Sequence, residues 1–161
     1  MPGGPTASET CNRVRHELTL GAEEAQTAVA AIRDQLKAEG KAAVIAVADA
    51  QGEMLALLRL DGASRVAIQI AMNKAFTAAR ARKPTIDVGR GVRDPQRGFD
   101  IAYYGDPRVV GWGGGIPVIH HDQLVGAVAV SGLSEEEDMR FAARGVAAIH
   151  DALRGGAEAG G

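Results

Sequence analysis

Val44-Ile45-Ala46-Val47-Ala48, then Asp49-Ala50-Gln51-Gly52, then Met54-Leu55-Ala56-Leu57-Leu58-Arg59 is the stretch whose reading decides the fold. Two short apolar runs, the first rich in β-branched residues, flank a turn-forming segment ending in glycine, which reads as two strands joined by a tight turn. A parallel pair would need a crossover on the order of a dozen residues, and none fits here. Upstream, Ala25, Val29, Ile32 and Leu36 recur at helical spacing and Gly40 supplies a stop. Downstream, Asp61-Gly62-Ala63-Ser64 breaks the second strand, and Ser64 is placed to cap a helix beginning near Arg65 and running to about Arg82, before Pro84. Its face is built from Ala67, Ile70, Ala71, Lys74, Ala75, Ala78 and Ala79.

The pattern then repeats loosely. Ile116-Pro117-Val118-Ile119-His120, the turn His121-Asp122-Gln123, and Leu124 to Val130 predict a second hairpin. Ser134 and Glu137 form a capping box ahead of a last helix marked by Met139, Ala142, Val146, Ile149 and Leu153, with His150 in its last turn. Hairpins rather than crossovers join the strands, so the expectation is an α/β chain of the α+β kind, an antiparallel sheet with flanking helices. A doubly wound parallel sheet is disfavoured. The intervening Thr85 to Gly111 reads as one long irregular loop, and such loops are more often functional or mobile than neutral. Residues 1–17 read as a flexible arm, 18–154 as a single domain and 155–161 as a disordered tail.

The chain has 161 residues, 46% of them hydrophobic, with 21 glycines and only six aromatics. Its core must rest on small aliphatic side chains, which bury little area each, so subunit association into a homo-oligomer is expected to supply further burial. A net charge of -2 gives no reason to bind nucleic acid or an anionic membrane. The single cysteine, Cys11, permits no intrachain disulfide. No signal-like or membrane-spanning run is visible, which makes the cytoplasm the default expectation.

Four groups could carry chemistry. Gly113-Gly114-Gly115 could present backbone amides to a ligand, or form a bend at a strand start. Lys74, on an alanine-rich face, should pair with a carboxylate or suffer a lowered pKa; with Asp49, Arg59 and Asp61 it forms a polar group whose structural role is favoured over catalysis. Glu135, Glu136, Glu137 and Asp138 suit a helix start, and Asp138, beyond the cap pair, is the one not explained by it. Tyr103, Tyr104 and Trp112 put three of the six aromatics beside one glycine-rich loop, suggesting a planar ligand surface or an oligomer interface. No closely spaced ligand set for structural zinc, P-loop, dinucleotide fingerprint or nucleophile elbow is present.

The blocks Val44 to Asp49 with Gly52, Arg59-Leu60-Asp61-Gly62-Ala63, Lys74-Ala75-Phe76-Thr77-Ala78, Gly113 to Pro117, and Gly126 to Gly132 followed by Glu137-Asp138 resemble the HbpS/GlcG family. They also resemble the C-terminal domain of PduO-type corrinoid adenosyltransferases. The resemblance spans roughly Leu18 to Leu153 and implies a profilin-like or roadblock-like sheet, assembly into oligomers, and a link to haem binding, haem degradation or redox sensing. The segment Thr85 to Trp112 matches less clearly.

If haem is the ligand, His16 in the arm or His120 at the hairpin end would supply the iron ligand, although solvent-facing turn positions are the favoured reading of His120 and His121. The site would then comprise Trp112, Gly113, Gly114 and Gly115, the Tyr103-Tyr104 loop, Asp61 and the Lys74 helix. The alternative is a cofactor-free isomerase, lyase or hydrolase acting on a small aromatic or carbonyl metabolite. Lys74, Asp138 or a histidine would then move protons, with Arg59 or glycine amides stabilising charge. A non-catalytic assembly module is the third reading.

Overall fold

The structure, a computed structural model, describes residues 14–158; Cys11 lies outside them. Helix α1 (Ala22–Ala38) precedes strands β1 (Val44–Asp49) and β2 (Met54–Arg59). Helices α2 (Val66–Ala81) and α3 (Thr85–Val92) follow, then strands β3 (Gly115–His120) and β4 (Gln123–Ser131) and helix α4 (Glu135–Glu158). The strands form one antiparallel sheet in the order β2-β1-β4-β3. The α+β architecture expected from the hairpins is the one observed.

Both hairpins close by local chemistry. In the first, the Asp49 carboxylate accepts from the amides of Gln51 and Glu53, each at 2.9 Å, and Gly52 takes the positive φ of 88°. In the second, His121 and Asp122 both lie in the left-handed region, at φ 48° and 59°, as a two-residue hairpin turn of matching twist demands.

Alternation along the central strands sorts side chains between two layers. Ile45, Val47, Val128 and Val130 meet Ile32 and Leu36 of α1 and Phe141 and Ile149 of α4. On the other face Val44, Ala46, Ala48 and Ala129 meet Ala67, Ala71 and Ala75, so α2 alone covers that side of β1 and β4. The alanines that supply little area each are what allow α2 to lie close to the sheet.

Four local expectations change. Ser64 does not cap α2 with its hydroxyl; instead its carbonyl accepts from the Ala67 amide at 3.2 Å. The segment from Thr85 is not wholly loop, for it opens with α3 and contains a 3₁₀ turn at Ile101–Tyr104. Glycine content hid α3: Gly89 and Gly91 lower helix propensity, yet a Cβ on Gly89 would lie 1.9 Å from the Gly111 carbonyl oxygen, so the contact itself requires glycine. Helix α4 continues to Glu158, past Gly155 and Gly156, which puts His150 two turns inside it, where Nε2 meets the Ile119 carbonyl at 2.9 Å. The capping box is as expected: the Glu137 amide donates to Ser134 Oγ at 3.2 Å and the Ser134 amide to Glu137 Oε2 at 3.3 Å.

Candidate functional site

The paired strands fix two ends of the sheet. Val44 opposite Ser131, with Gly115 opposite Ala129, marks one end; the turns after Asp49 and His120 mark the other. A cleft of about 390 Å³ opens at the first end, between α2, the end of β4, the start of α4 and the segment entering β3. Val66, Ile70 and Lys74 line it along one helical stripe, four residues apart. Trp112 and Gly113 form the facing wall, and Ser131, Gly132, Glu135 and Asp138 complete it.

At its inner end Lys74 and Asp138 form an ion pair, Nζ to Oδ2 at 2.9 Å, with both side chains 3% exposed. Lys74 Nζ also donates to the Val130 carbonyl at 3.1 Å, and Asp138 Oδ1 accepts from the Leu133 amide at 3.1 Å. Burial pushes the Asp138 carboxyl above its ordinary value, opposed by the hydrogen bond and charge of Lys74. The partner of Lys74 is therefore Asp138, sixty-four residues away, and not a carboxylate of its own hairpin. Asp49 is occupied in its turn, Asp61 is exposed before α2, and Arg59 ends the edge strand two strands away from Ser131. Neither Arg59 nor Asp61 lines the cleft.

The glycine run has a close-packing cause at every position. A Cβ on Gly114, whose φ is 126°, would lie 2.6 Å from the Val130 oxygen and 2.8 Å from Lys74 Nζ; one on Gly115 would lie 2.5 Å from the Lys74 carbonyl oxygen. Two of the three amides are already engaged, Gly113 to Glu135 Oε2 at 2.8 Å and Gly115 to Thr85 Oγ1 at 2.9 Å. The run thus seats the cleft's wall on the ion pair and leaves little free backbone for an anion cradle.

Trp112 is 56% exposed and Val66 70% exposed at the mouth, an apolar pair available to a flat ligand. The other aromatics do not join them. Tyr104 packs on Phe99, with centroids 5.6 Å apart, and lines a separate small cavity with Thr77 and Arg80; Tyr103 points out, 82% exposed. His120 sits at the far end of β3, on the order of 16 Å along the strand from Gly115. His16 is exposed and precedes Leu20, whose amide bonds the Val125 carbonyl near the same far end. Among the described residues no imidazole lines the cleft.

Sequence reasoning had passed over Ser131, Thr85 and Val66. Ser131 is a buried hydroxyl ending an apolar strand, and Thr85 is a fully buried threonine directly after Pro84; both were visible only as isolated polar residues beside breaks in pattern.

Comparison with known proteins places this geometry. Protein GlcG of Escherichia coli K12 is 31% identical over 118 residues, covering 73% of this chain and 85% of that protein. The crystal structure of the Klebsiella pneumoniae protein ORFY superposes with a TM-score of 0.82 at 29% identity, over 86% of this chain and 96% of that one. A PduOC:heme complex superposes with a TM-score of 0.76 at 24% identity, over 81% and 95%, a likeness of fold. The family model described as haem degrading protein HbpS-like matches residues 20–147, and the chain belongs to that HbpS-like family.

Proposed function

We propose that the chain binds a small planar ligand in the cleft between α2 and Trp112, with haem the foremost candidate. The observation that carries this reading is the exposed Trp112 facing Val66 and Ile70 across a cleft whose inner end is polar. Flat apolar walls with few convergent polar groups suit a ring system bearing polar substituents. The family's description and the haem complex of a protein with this fold support haem in particular. Val66, Ile70 and Trp112 offer apolar contact to a ring, whereas an imidazole on iron would have to be His16 or His120 brought by a second copy. The same reading calls for self-association, which the 41% exposure of Leu57 beside the face that α2 covers alone supports. Size-exclusion chromatography with light scattering should give a mass well above the 16.7 kDa chain, and a monomer at all concentrations would remove the histidine contribution.

The test of binding is a titration of the purified chain with haem and, separately, with iron-free protoporphyrin, following the Soret band. Saturation near one equivalent for both is expected if ring contacts carry the affinity, and no saturable binding of either would remove the reading. Degradation of haem and redox sensing are finer activities that follow only if binding is found.

The Asp138 carboxyl, raised by burial at the end of an open cleft, favours a second reading as cofactor-free acid-base chemistry on a small aromatic or carbonyl metabolite. Asp138 and Lys74 would exchange the proton, and Arg59 has no part in it. Turnover unchanged in both Lys74→Met and Asp138→Asn would sink this assignment.

A further inference from the structure

A second pocket, of about 430 Å³, lies at the opposite end of the sheet from the cleft, where α2 ends beside the two hairpin turns. Its floor is apolar, from Ala50, Ala79 and Leu124, each less than a tenth exposed, and its rim carries Arg80, Arg82, Gln123, Gln51 and Glu17. The two arginines are the unusual feature. Neither takes part in an ion pair among the described residues. Arg80 donates Nε to the Gln51 carbonyl at 2.6 Å and its guanidinium lies over the Phe76 ring, 5.1 Å from the centroid, which fixes it and leaves its terminal nitrogens without a hydrogen-bond partner among the described residues. Arg82 makes no side-chain hydrogen bond among the described residues, and so presents its whole donor fork.

Arg82 also occupies a place that its backbone disfavours. It follows α2 directly with φ 57° and ψ 32°, the left-handed conformation for which glycine is the ordinary choice at a helix end. The carboxylate on the rim, Glu17, accepts from the Gln51 side-chain amide at 2.5 Å and forms no ion pair with either guanidinium among the described residues. Asp106 is bonded by Arg108, and Arg80 only adds to its stabilisation from a distance.

We propose that this pocket binds a small organic carboxylate, with its head on the Arg80 and Arg82 forks and its short apolar body on the Ala50-Ala79-Leu124 floor. Planar two-nitrogen forks match a carboxylate's two oxygens, and the apolar floor selects an acid with a hydrocarbon portion over a bare oxyanion. The site is separate from the Trp112 cleft and does not depend on what binds there.

The test is a titration of the isotopically labelled full chain with butyrate, and separately with inorganic phosphate, following the arginine Nε–Hε signals. Butyrate should shift the Arg80 and Arg82 signals saturably, and phosphate should bind more weakly. Arg80→Gln and Arg82→Gln should each weaken butyrate roughly tenfold or more, the value of a charged hydrogen bond. Arg144→Gln, an exposed arginine on α4, should change nothing. Arg82→Gly, which relieves the backbone, should fold at least as well and still lose binding. Non-saturating shifts, or an equal loss in Arg144→Gln, would overturn the site; phosphate binding as tightly as butyrate would overturn the carboxylate class.

Discussion

At the scale of single residues the cleft is organised by one buried ion pair and one glycine. Lys74 was legible in the sequence because a lysine on an alanine face must find an anion, and Asp138 because the capping box left it unexplained. That they meet was not legible, since the pairing closes only when β3 and β4 bring the chain back over α2. Removing one partner strands the other charge: Lys74→Met should destabilise the protein by about 3–5 kcal/mol, while the double change with Asp138→Leu should recover much of it, as chemical denaturation of the three proteins would show. Gly114→Ala should lower stability and weaken ligand together, because its Cβ meets the Val130 oxygen and the lysine at once. Arg82→Gly, by contrast, should raise stability by about 1 kcal/mol through relief of the left-handed backbone, read as a higher denaturation midpoint.

Two carboxyls should titrate in opposite directions. Glu39, held by a bidentate contact from Arg140 at 2.7 and 2.8 Å, has its pKa lowered to about 2 from 4.5. Its folded value lies below the unfolded one, so its contribution is present above pH 4.5 and lost as pH falls through about 2. Asp138 is raised by burial, so its contribution is full below its unfolded value and lost as pH rises through the folded one. Carbon-detected carboxyl titration distinguishes them: Glu39 should still be ionised at pH 3, and Asp138 should be the late titrant.

Elements were read best where amphipathic period and turn chemistry agreed. Both hairpins and the helices α1, α2 and α4 emerge from alternating or helical apolar spacing together with Gly40, Gly52 and Ser134 at their ends. Helix α3 escaped because Gly89 serves a tertiary contact that no local pattern announces. Gly89 packs on Gly111, the residue before Trp112, so α3 sets the position of the cleft wall. Gly89→Ala would gain about 1 kcal/mol of intrinsic helix propensity, but the backbone clash should outweigh it and leave a net loss of about 1–3 kcal/mol. A shift in Trp112 fluorescence should accompany the lower denaturation midpoint; a stabilised variant with unchanged emission would show that α3 does not hold that wall.

For the whole molecule, antiparallel connectivity sends residues adjacent in the fold's outline to opposite ends of the sheet. This separates His16 and His120 from the cleft, while Tyr103 and Tyr104 lie in a 3₁₀ turn and do not line it. Scarcity of aromatics singled out Tyr103, Tyr104 and Trp112, yet only Trp112 lines the cleft, because sequence proximity to a glycine-rich segment does not fix which way a 3₁₀ turn points its side chains. Among the described residues no helix is long and apolar enough to cross a membrane.

The chain's single tryptophan stands at the cleft's mouth, which makes its emission a direct report on occupancy. Titrated with haem, the full chain should show Trp112 quenching that saturates near one equivalent in step with the Soret change, and Lys74→Met should shift the midpoint to higher ligand concentration. A Soret change that saturates without quenching of Trp112, or no saturation at all, would contradict the placement of the ligand in this cleft.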